Sequence, residues 1–534
     1  MRNLLLWVRA TFIRTSLAAA AIATLGPLFC LVPQTACSAT QSSAPKDYAT
    51  HCASCHGTDR LGVTGPALLP ESLERLRPEA AVETVTKGRL ATQMPAFGEK
   101  LDRASIGALV EFLYSPPLMP PVWNEANIVA SHVVYVAPST LPAKPVFGAD
   151  PLNLFVVVES GDHHATILDG DSFEPVKRFA TRYALHGGPK FSPDGRYVYF
   201  ASRDGWISLY DIWNLTLIAE VRAGLNTRNL AVSSDGRFVL VGNSLPHTLV
   251  LLDARDLSVL RVLEASIGEG QSSRVSAVYD AAPRKSFLAA LKDAPEIWEI
   301  PYAAAAPAIP KLPTPAATSD ASPPPDRFPV RRIALADVLD DFFLDPDCAH
   351  AIGASRTAHA GQVVDLDAGR TIAQVDLPGL PHLGSGISWV RDGRPVLATP
   401  NLREALVSVI DMRSWQTIAQ IKTAGPGFFL RSHENTPFAW VDAFNSPSKD
   451  VLQVLDKRTL EVVATLRPSP GKTVAHVEFT RDGRYALASI WEMDGAIVVY
   501  DATTLHEVRR VPMVKPSGKY NVFNKVSRST GTSH

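Results

Sequence analysis

Cysteine is scarce, with five in 534 residues, and that excludes a small disulfide-dense scaffold. Neither sign of charge is in surplus, 52 Lys and Arg standing against 53 Asp and Glu. A surface built to cover a phosphate backbone is therefore not expected, and nucleic acid is not an expected partner. Beyond the first few dozen residues no apolar run approaches the ~20 residues that span a bilayer. Charged residues make up 20% and apolar ones 46%, enough for a large core and too little charge for a disordered chain. The length suggests two to four domains. Proline, by contrast, is plentiful at 42, and part of the excess sits in one linker and one insertion.

The chain opens with Arg2, Arg9 and Arg14, and no acid precedes Asp47. An apolar stretch over 17–32, interrupted by Gly26 and Pro27, leads to the small residues Thr35-Ala36-Cys37-Ser38-Ala39. This pattern predicts a signal peptide over 1–39, cleaved near Ala39. The expected mature protein is periplasmic, has no stable membrane insertion and has lost Cys30 and Cys37.

Cys52-Ala53-Ser54-Cys55-His56 is a C-x-x-C-H motif. Two thiols one helical turn apart can add to the vinyl groups of a haem, and the adjoining imidazole reaches its iron. Met94, in Gln93-Met94-Pro95, is the expected second axial ligand, and an amphipathic helix with Ile106, Leu109, Val110 and Leu113 on one face should follow. The order of motif, loop methionine and closing helix resembles a small, all-α class I cytochrome c domain over 40–115, which implies haem c and one-electron transfer. A Pro-rich connector follows over 116–127, with Pro116-Pro117 and Pro120-Pro121.

The remainder, 128–534, repeats. Asp-Gly turns recur at Asp194-Gly195, Asp235-Gly236, Asp392-Gly393 and Asp482-Gly483, each between apolar alternations. Short apolar strands close on an acid at Asp169, Asp211, Asp253, Glu299, Asp365, Asp411, Asp456 and Asp501. A period of roughly 45 residues repeated eight times predicts an all-β, eight-bladed β-propeller. The long interval after Glu299 holds an Ala/Pro-rich insertion, 303–329, expected between the fourth and fifth blades. The apolar stretch 128–136 is expected to pair with the C-terminal part of the chain and close the ring.

A cytochrome c domain joined to an eight-bladed propeller resembles the cytochrome cd1 group, and the resemblance covers nearly all of the mature chain. That group contains a nitrite reductase and a dehydrogenase of haem d1 biosynthesis. The resemblance implies a d1-type tetrapyrrole on the propeller axis. Tyr183-Ala184-Leu185-His186 is similar to the segment carrying the proximal iron ligand, which makes His186 that ligand. Leu380-Pro381-His382-Leu383-Gly384 is similar to the segment of the distal ligand, His382, on a Gly- and Pro-bearing loop able to move for a bulky substrate. By the same resemblance Tyr520 is an acid/base group beside a propionate and His476 an auxiliary to it, with Lys519 or His476 assisting the phenol. Arg203, Arg228 and Arg274 are expected to hold substrate carboxylates.

The reductase's second distal histidine belongs at the start of the fifth repeat. Residues 336–345 contain none, which favours the dehydrogenase. The implied reaction converts a propionate of dihydro-haem d1 to the acrylate of haem d1, with electrons passing to haem c and an external electron acceptor. The implied partners are that substrate, the acceptor, and nitrite reductase or other haem d1 maturation proteins. A nitrite reductase and a non-catalytic haem d1 carrier stand as the alternatives. Cys348 is expected to be buried and unpaired, and His433, in Arg431-Ser432-His433-Glu434, is given no role.

Overall fold

The computed structural model describes residues 43–74, 76–89, 94–185, 188–303, 327–355 and 360–531. The expected leader over 1–39, the body of the 303–329 insertion and His186 lie outside the described residues.

Helix α1 (Ala44–His51) and the single turn α2 (Ala53–His56) flank Cys52. The Cys52 N–H closes α1 on Tyr48 O at 2.9 Å, and the Cys52 carbonyl opens α2 by accepting from His56 N at 2.9 Å. After α3 (Pro70–Leu73) and α4 (Pro78–Lys87), α5 (Arg103–Tyr114) starts where the Asp102 carboxylate accepts the Ser105 N–H at 2.7 Å. Its buried residues are Ile106, Leu109, Val110 and Leu113, the face that their spacing predicts, and they pack on Tyr48, Val85, Phe97 and Leu101. Arg60 ends α5. Its buried guanidinium donates to Phe112 O at 2.8 Å and Ser115 O at 3.2 Å, and the capping Ser115 N–H also reaches Phe112 O at 3.3 Å.

The propeller has eight blades, each a four-stranded antiparallel unit, among the described residues. In chain order the blades occupy 154–180, 190–222, 226–264, 275–334, 341–376, 387–422, 430–466 and 474–513, and the first takes its innermost strand from the C-terminus. Apolar side chains alternate across each blade and meet those of the next. The core is accordingly divided into eight clusters, one per junction between successive blades, the last joining blade 8 to blade 1. The recurring acid ends the third strand. Asp169, Asp211, Asp253, Asp365, Asp411, Asp456 and Asp501 each accept a backbone N–H two or three residues on, which fixes the turn into the outer strand. The longer Glu299 instead takes Arg284 at 2.9 Å and Arg331 at 3.0 Å.

Two expectations are corrected. The stretch 128–136 does not close the ring. Ile128 lies in helix α6 (Glu125–Ser131), started by a reciprocal Asn124/Asn127 capping box, and Val133–Val134 adds a fifth, outer strand to blade 2 through Val133↔Glu220. Local capping has outweighed β-branched propensity. Closure falls to Pro516–Asn521, which pairs with Leu154–Glu159 through Val156↔Tyr520 and Val157↔Lys519. The insertion also does not separate blades 4 and 5. It joins Glu296–Pro301 to Arg331–Ala334, the third and fourth strands of blade 4. An acid that ends the third strand always leaves one strand still to come, so an insert after it interrupts its own blade.

Helix α7 (Val522–Ser527) follows the closing strand and ties the hub together. Lys525 pairs with Glu478 of blade 8 at 3.1 Å, Arg528 with Asp280 of blade 4 at 2.5 Å, and Gly531 O accepts from Ser432 N of blade 7 at 2.8 Å.

Candidate functional site

The residues around α2 fit a covalently held haem c. Cys52 and Cys55 are free thiols. His56 is buried, and its Nδ1 donates to Pro66 O at 2.8 Å, which leaves Nε2 as the ligating nitrogen. The ring lies on Gly65, where a Cβ would come within 2.7 Å of it. Burial pushes the imidazole pKa down, favouring the neutral form a metal needs. Met94, half-buried, belongs to the same apolar cluster as Cys52.

The hub of the propeller carries a second group of residues. His382 precedes the turn Leu383–Ser385 at the entry to blade 6. Its Nδ1 donates to Phe428 O at 2.6 Å, again leaving Nε2 open, and burial pushes its pKa down. The base of its loop is stapled by buried Asn401, which donates to Pro378 O and accepts from Leu380 N at 3.1 Å and Glu404 N at 2.8 Å. A ladder of rings runs inward from His382 to Phe429 (6.3 Å between centroids), to His476 (4.8 Å) and to Tyr520 (5.0 Å). His382, His476 and Tyr520 therefore meet at the hub. Gly188, two residues beyond His186, adjoins Tyr520 so closely that a Cβ there would lie 2.9 Å from the phenol ring.

His476 is fully buried, and neither imidazole nitrogen has a hydrogen-bond partner among the described residues. Such a group is costly unless a ligand meets it. Burial, with Lys519, Arg431 and Lys525 nearby, holds it well below the ordinary histidine pKa, so it is neutral. Burial pushes Tyr520 up to about 12, only partly offset by Arg431. Lys519 does not touch the phenol; its ammonium donates to His476 O and to Ser489 Oγ at 3.0 Å.

Arg203 and Arg228 line a polar cavity of about 140 Å³ with Glu74, Lys292 and Asp340. Arg228 Nε also donates to Ser276 O at 2.6 Å. Arg274 is half-exposed and forks onto Asp293 at 2.6 and 2.9 Å, and its carbonyl accepts from Lys292 N at 2.8 Å. Sequence reasoning missed three hub residues. Arg431 is buried with its Nε unpartnered among the described residues. Lys190, on the innermost strand of blade 2, is pushed down to about 8 by burial and by Lys525. Asp341 opens the innermost strand of blade 5 and accepts from Tyr279 Oη at 2.6 Å. Only the phrase Arg431-Ser432-His433-Glu434 gave any signal. Its histidine is a packing residue, since His433 Nδ1 accepts from Asn435 N at 3.1 Å and the ring fills the space beneath Gly483, where φ is +73° and a Cβ would lie 2.4 Å from Nδ1. Cys348 is buried and unpaired, as expected.

The cytochrome abuts blades 2 and 3. Asn226 donates to Glu71 O at 2.7 Å, Arg222 to Leu61 O, and Arg89, whose N–H bonds Met94 O at 3.1 Å, donates to Tyr183 Oη at 2.7 Å. The loop bearing Met94 thus touches the phrase that ends in His186.

A closed propeller with histidine, tyrosine and cationic side chains at its hub, carried with a haem c domain, defines a tetrapyrrole-binding cytochrome. Residues 149–525 match the family described as Cytochrome D1 heme domain, and 39–113 match cbb3-type cytochrome c oxidase subunit III. The chain belongs to the cytochrome d1 haem-domain family. It is 58% identical over 487 residues to dihydro-heme d1 dehydrogenase of Pseudomonas aeruginosa, covering 91% of this chain and 95% of the relative. The solved structure of dihydro-heme d1 dehydrogenase NirN in complex with DHE superposes with a TM-score of 0.85 at 57% identity, covering 90% of this chain and 99% of that one. Nitrite reductase of Stutzerimonas stutzeri is 25% identical over 536 residues, 90% of this chain and 92% of the relative.

Proposed function

We propose that this protein is an oxidoreductase that dehydrogenates a propionate side chain of dihydro-haem d1 to the acrylate of haem d1. The observation that carries the reading is the pairing at the hub of Tyr520 with a buried, neutral His476 whose nitrogens are unpartnered among the described residues. The 58% identity to a dihydro-heme d1 dehydrogenase supports the same substrate.

The saturated –CH₂–CH₂– unit becomes –CH=CH– by losing two protons and two electrons. At neutral pH a phenol held at about 12 is protonated and cannot itself act as the base. Neutral His476 can. One proton leaving carbon passes to the Tyr520 oxygen as the phenolic proton passes to His476, and the second proton is released to solvent as the second electron leaves. His382, with Nε2 open, and His186 are the candidate axial ligands of the bound pigment. Lys190, Arg431, Arg203 and Arg228 supply positive charge for its carboxylates. Haem c, held by Cys52, Cys55, His56 and Met94, supplies one-electron transfer when bound. Each substrate therefore needs two oxidising equivalents from an external one-electron acceptor.

The nitrite reductase reading is weaker. Where its second distal histidine would stand, blade 5 begins with Asp341, already engaged as the acceptor of Tyr279. A carrier would not need the haem c domain. The signal-like pattern over 1–39 supports a periplasmic location, and the likeness to nitrite reductase supports a place in denitrification, with nitrite reductase or other haem d1 maturation proteins as partners. Among the described residues no helix is long and apolar enough to cross a membrane.

The test is anaerobic incubation of the haem c-loaded protein with dihydro-haem d1 and an oxidised one-electron acceptor, with the pigment followed by mass. Loss of two hydrogens is expected. Unchanged pigment, or nitric oxide formed from nitrite as the only turnover, would overturn the reading.

A further inference from the structure

His476 sits in Val474–Phe479, the innermost strand of blade 8, with φ +52°. The pairing register slips around it: Ala475 faces Ser489 and Val477 faces Ala488, so His476 is an extra residue opposite none. This is a β-bulge, and a non-glycine residue in the left-handed region persists only where its surroundings enforce it. The register of the strand pair gives His476 no residue opposite it to enforce that conformation.

Two buried side chains stand against the backbone groups of His476 instead. The Asp442 carboxylate, at the end of Phe438–Asp442 in blade 7, faces the His476 N–H, which helps to pull its pKa down. The Lys519 ammonium, on the closing strand of blade 1, donates to the His476 carbonyl. Asp442 is 2% exposed and Lys519 is 0% exposed. The same carboxylate receives Phe428 N at 2.7 Å and Phe429 N at 3.2 Å, which orders the segment that packs on His382 and His476. Burying an ammonium and a carboxylate is expensive, and apolar side chains of similar volume would fill the space at lower cost. What apolar side chains cannot do is bind a peptide N–H and C=O at once.

From this geometry we infer that Asp442 and Lys519 are positioning residues for the dehydrogenation, two buried side chains that flank the backbone of His476 from the neighbouring blades and hold it in the bulge, so that its imidazole meets Tyr520. In a regular strand one residue of slip sends a side chain to the opposite face. Without the grip the bulge relaxes and the imidazole leaves the hub. Lys519 is not itself a proton donor to substrate. Successive residues of a strand face opposite ways, and its ammonium is committed to His476 O and Ser489 Oγ.

The inference rests on the dehydrogenase reading, and one experiment separates the two. Lys519→Met, Asp442→Asn, His476→Ala and the Lys519→Met/His476→Ala double variant are prepared as full-length, haem c-loaded protein. Each is assayed for turnover of dihydro-haem d1 and titrated with the pigment by absorbance. Both single variants of the grip are expected to lose several-fold in kcat, up to but not beyond the loss of His476→Ala itself, with pigment affinity within twofold of the parent. The double variant is expected to be within twofold of His476→Ala alone, because the grip acts only through His476. Parent-like kcat in both grip variants, or losses that multiply in the double variant, overturns the inference. If Lys519→Met does not unfold cooperatively, Asp442→Asn with its own His476→Ala double decides by the same criteria. An inactive parent overturns the functional reading instead.

Discussion

At the residue scale the hub is set by what burial does to three groups. Tyr520 is pushed up to about 12 and His476 well down, so at neutral pH the pair consists of a protonated phenol and a neutral imidazole. Tyr520→Phe is therefore expected to bind pigment normally and to lose roughly 100-fold or more in kcat, within the usual range for a proton-transfer group, as measured by anaerobic conversion. His476→Ala should lose less, on the order of tenfold, since water can replace the final acceptor. Asp442 is pushed up to about 6 by burial, against four backbone N–H groups that pull it down. An ordinary aspartate titrates near 3.9. A folded pKa above the unfolded one means that the ionised form costs stability above pH 6, and that this cost is relieved as pH falls through 6 towards 4. The Tm of the parent should therefore rise relative to Asp442→Asn over that interval, which paired thermal melts from pH 7 to pH 4.5 would register.

At the scale of elements, the strand that closes the ring also delivers the site. Pro516–Asn521 is the inner strand of blade 1 and carries Lys519 on one face and Tyr520 on the other. Removing residues 515–534 leaves Leu154–Glu159 as an open edge and strips α7 from the hub. The expected result is loss of cooperative unfolding and of pigment binding together, read by thermal melt and absorbance. In the cytochrome, Arg60 supplies the donors for the end of α5. Arg60→Ala removes these charged donors from the end of α5 and should cost about 1–3 kcal/mol, measured by denaturant unfolding followed at the haem c absorbance. The closing strand was not foreseen in that role, which was expected of residues 128–136. Residues 128–136 are rich in Ile and Val, but a capping box at Asn124 made part of them a helix.

For the whole molecule, the arrangement of cytochrome and propeller gives the reaction an outlet. Arg89 bonds the loop of Met94 to Tyr183, three residues before His186. Arg89→Ala should slow reduction of haem c by bound substrate about tenfold, as seen by stopped-flow absorbance, while pigment binding is unchanged. Loss of both haem thiols, Cys52→Ala with Cys55→Ala, should leave pigment binding intact and abolish multiple turnover. A pigment that still turned over at the parent rate would show that electrons have another exit.

What the sequence determined by itself is what short stretches of chain determine. The C-x-x-C-H turn, the face of α5, the Asp-Gly turns and the acid at the end of each third strand all work through neighbours a few residues away, so their spacing announces the haem c domain and the eight blades. The identity of His382, His476 and Tyr520 as hub residues was legible through resemblance of their segments. The tertiary structure decided the rest. Asp442 and Asn401 carry no motif, and Lys519 and Arg431 lie in segments that were legible without these contacts, because each acts on a backbone or a charge that only the closed ring brings near; Lys519 reaches His476 from 43 residues along the chain. It also set Tyr520 and His476 apart. A tyrosine and a histidine have ordinary pKa values until burial and neighbouring charge move them in opposite directions, and burial is a property of the folded ring.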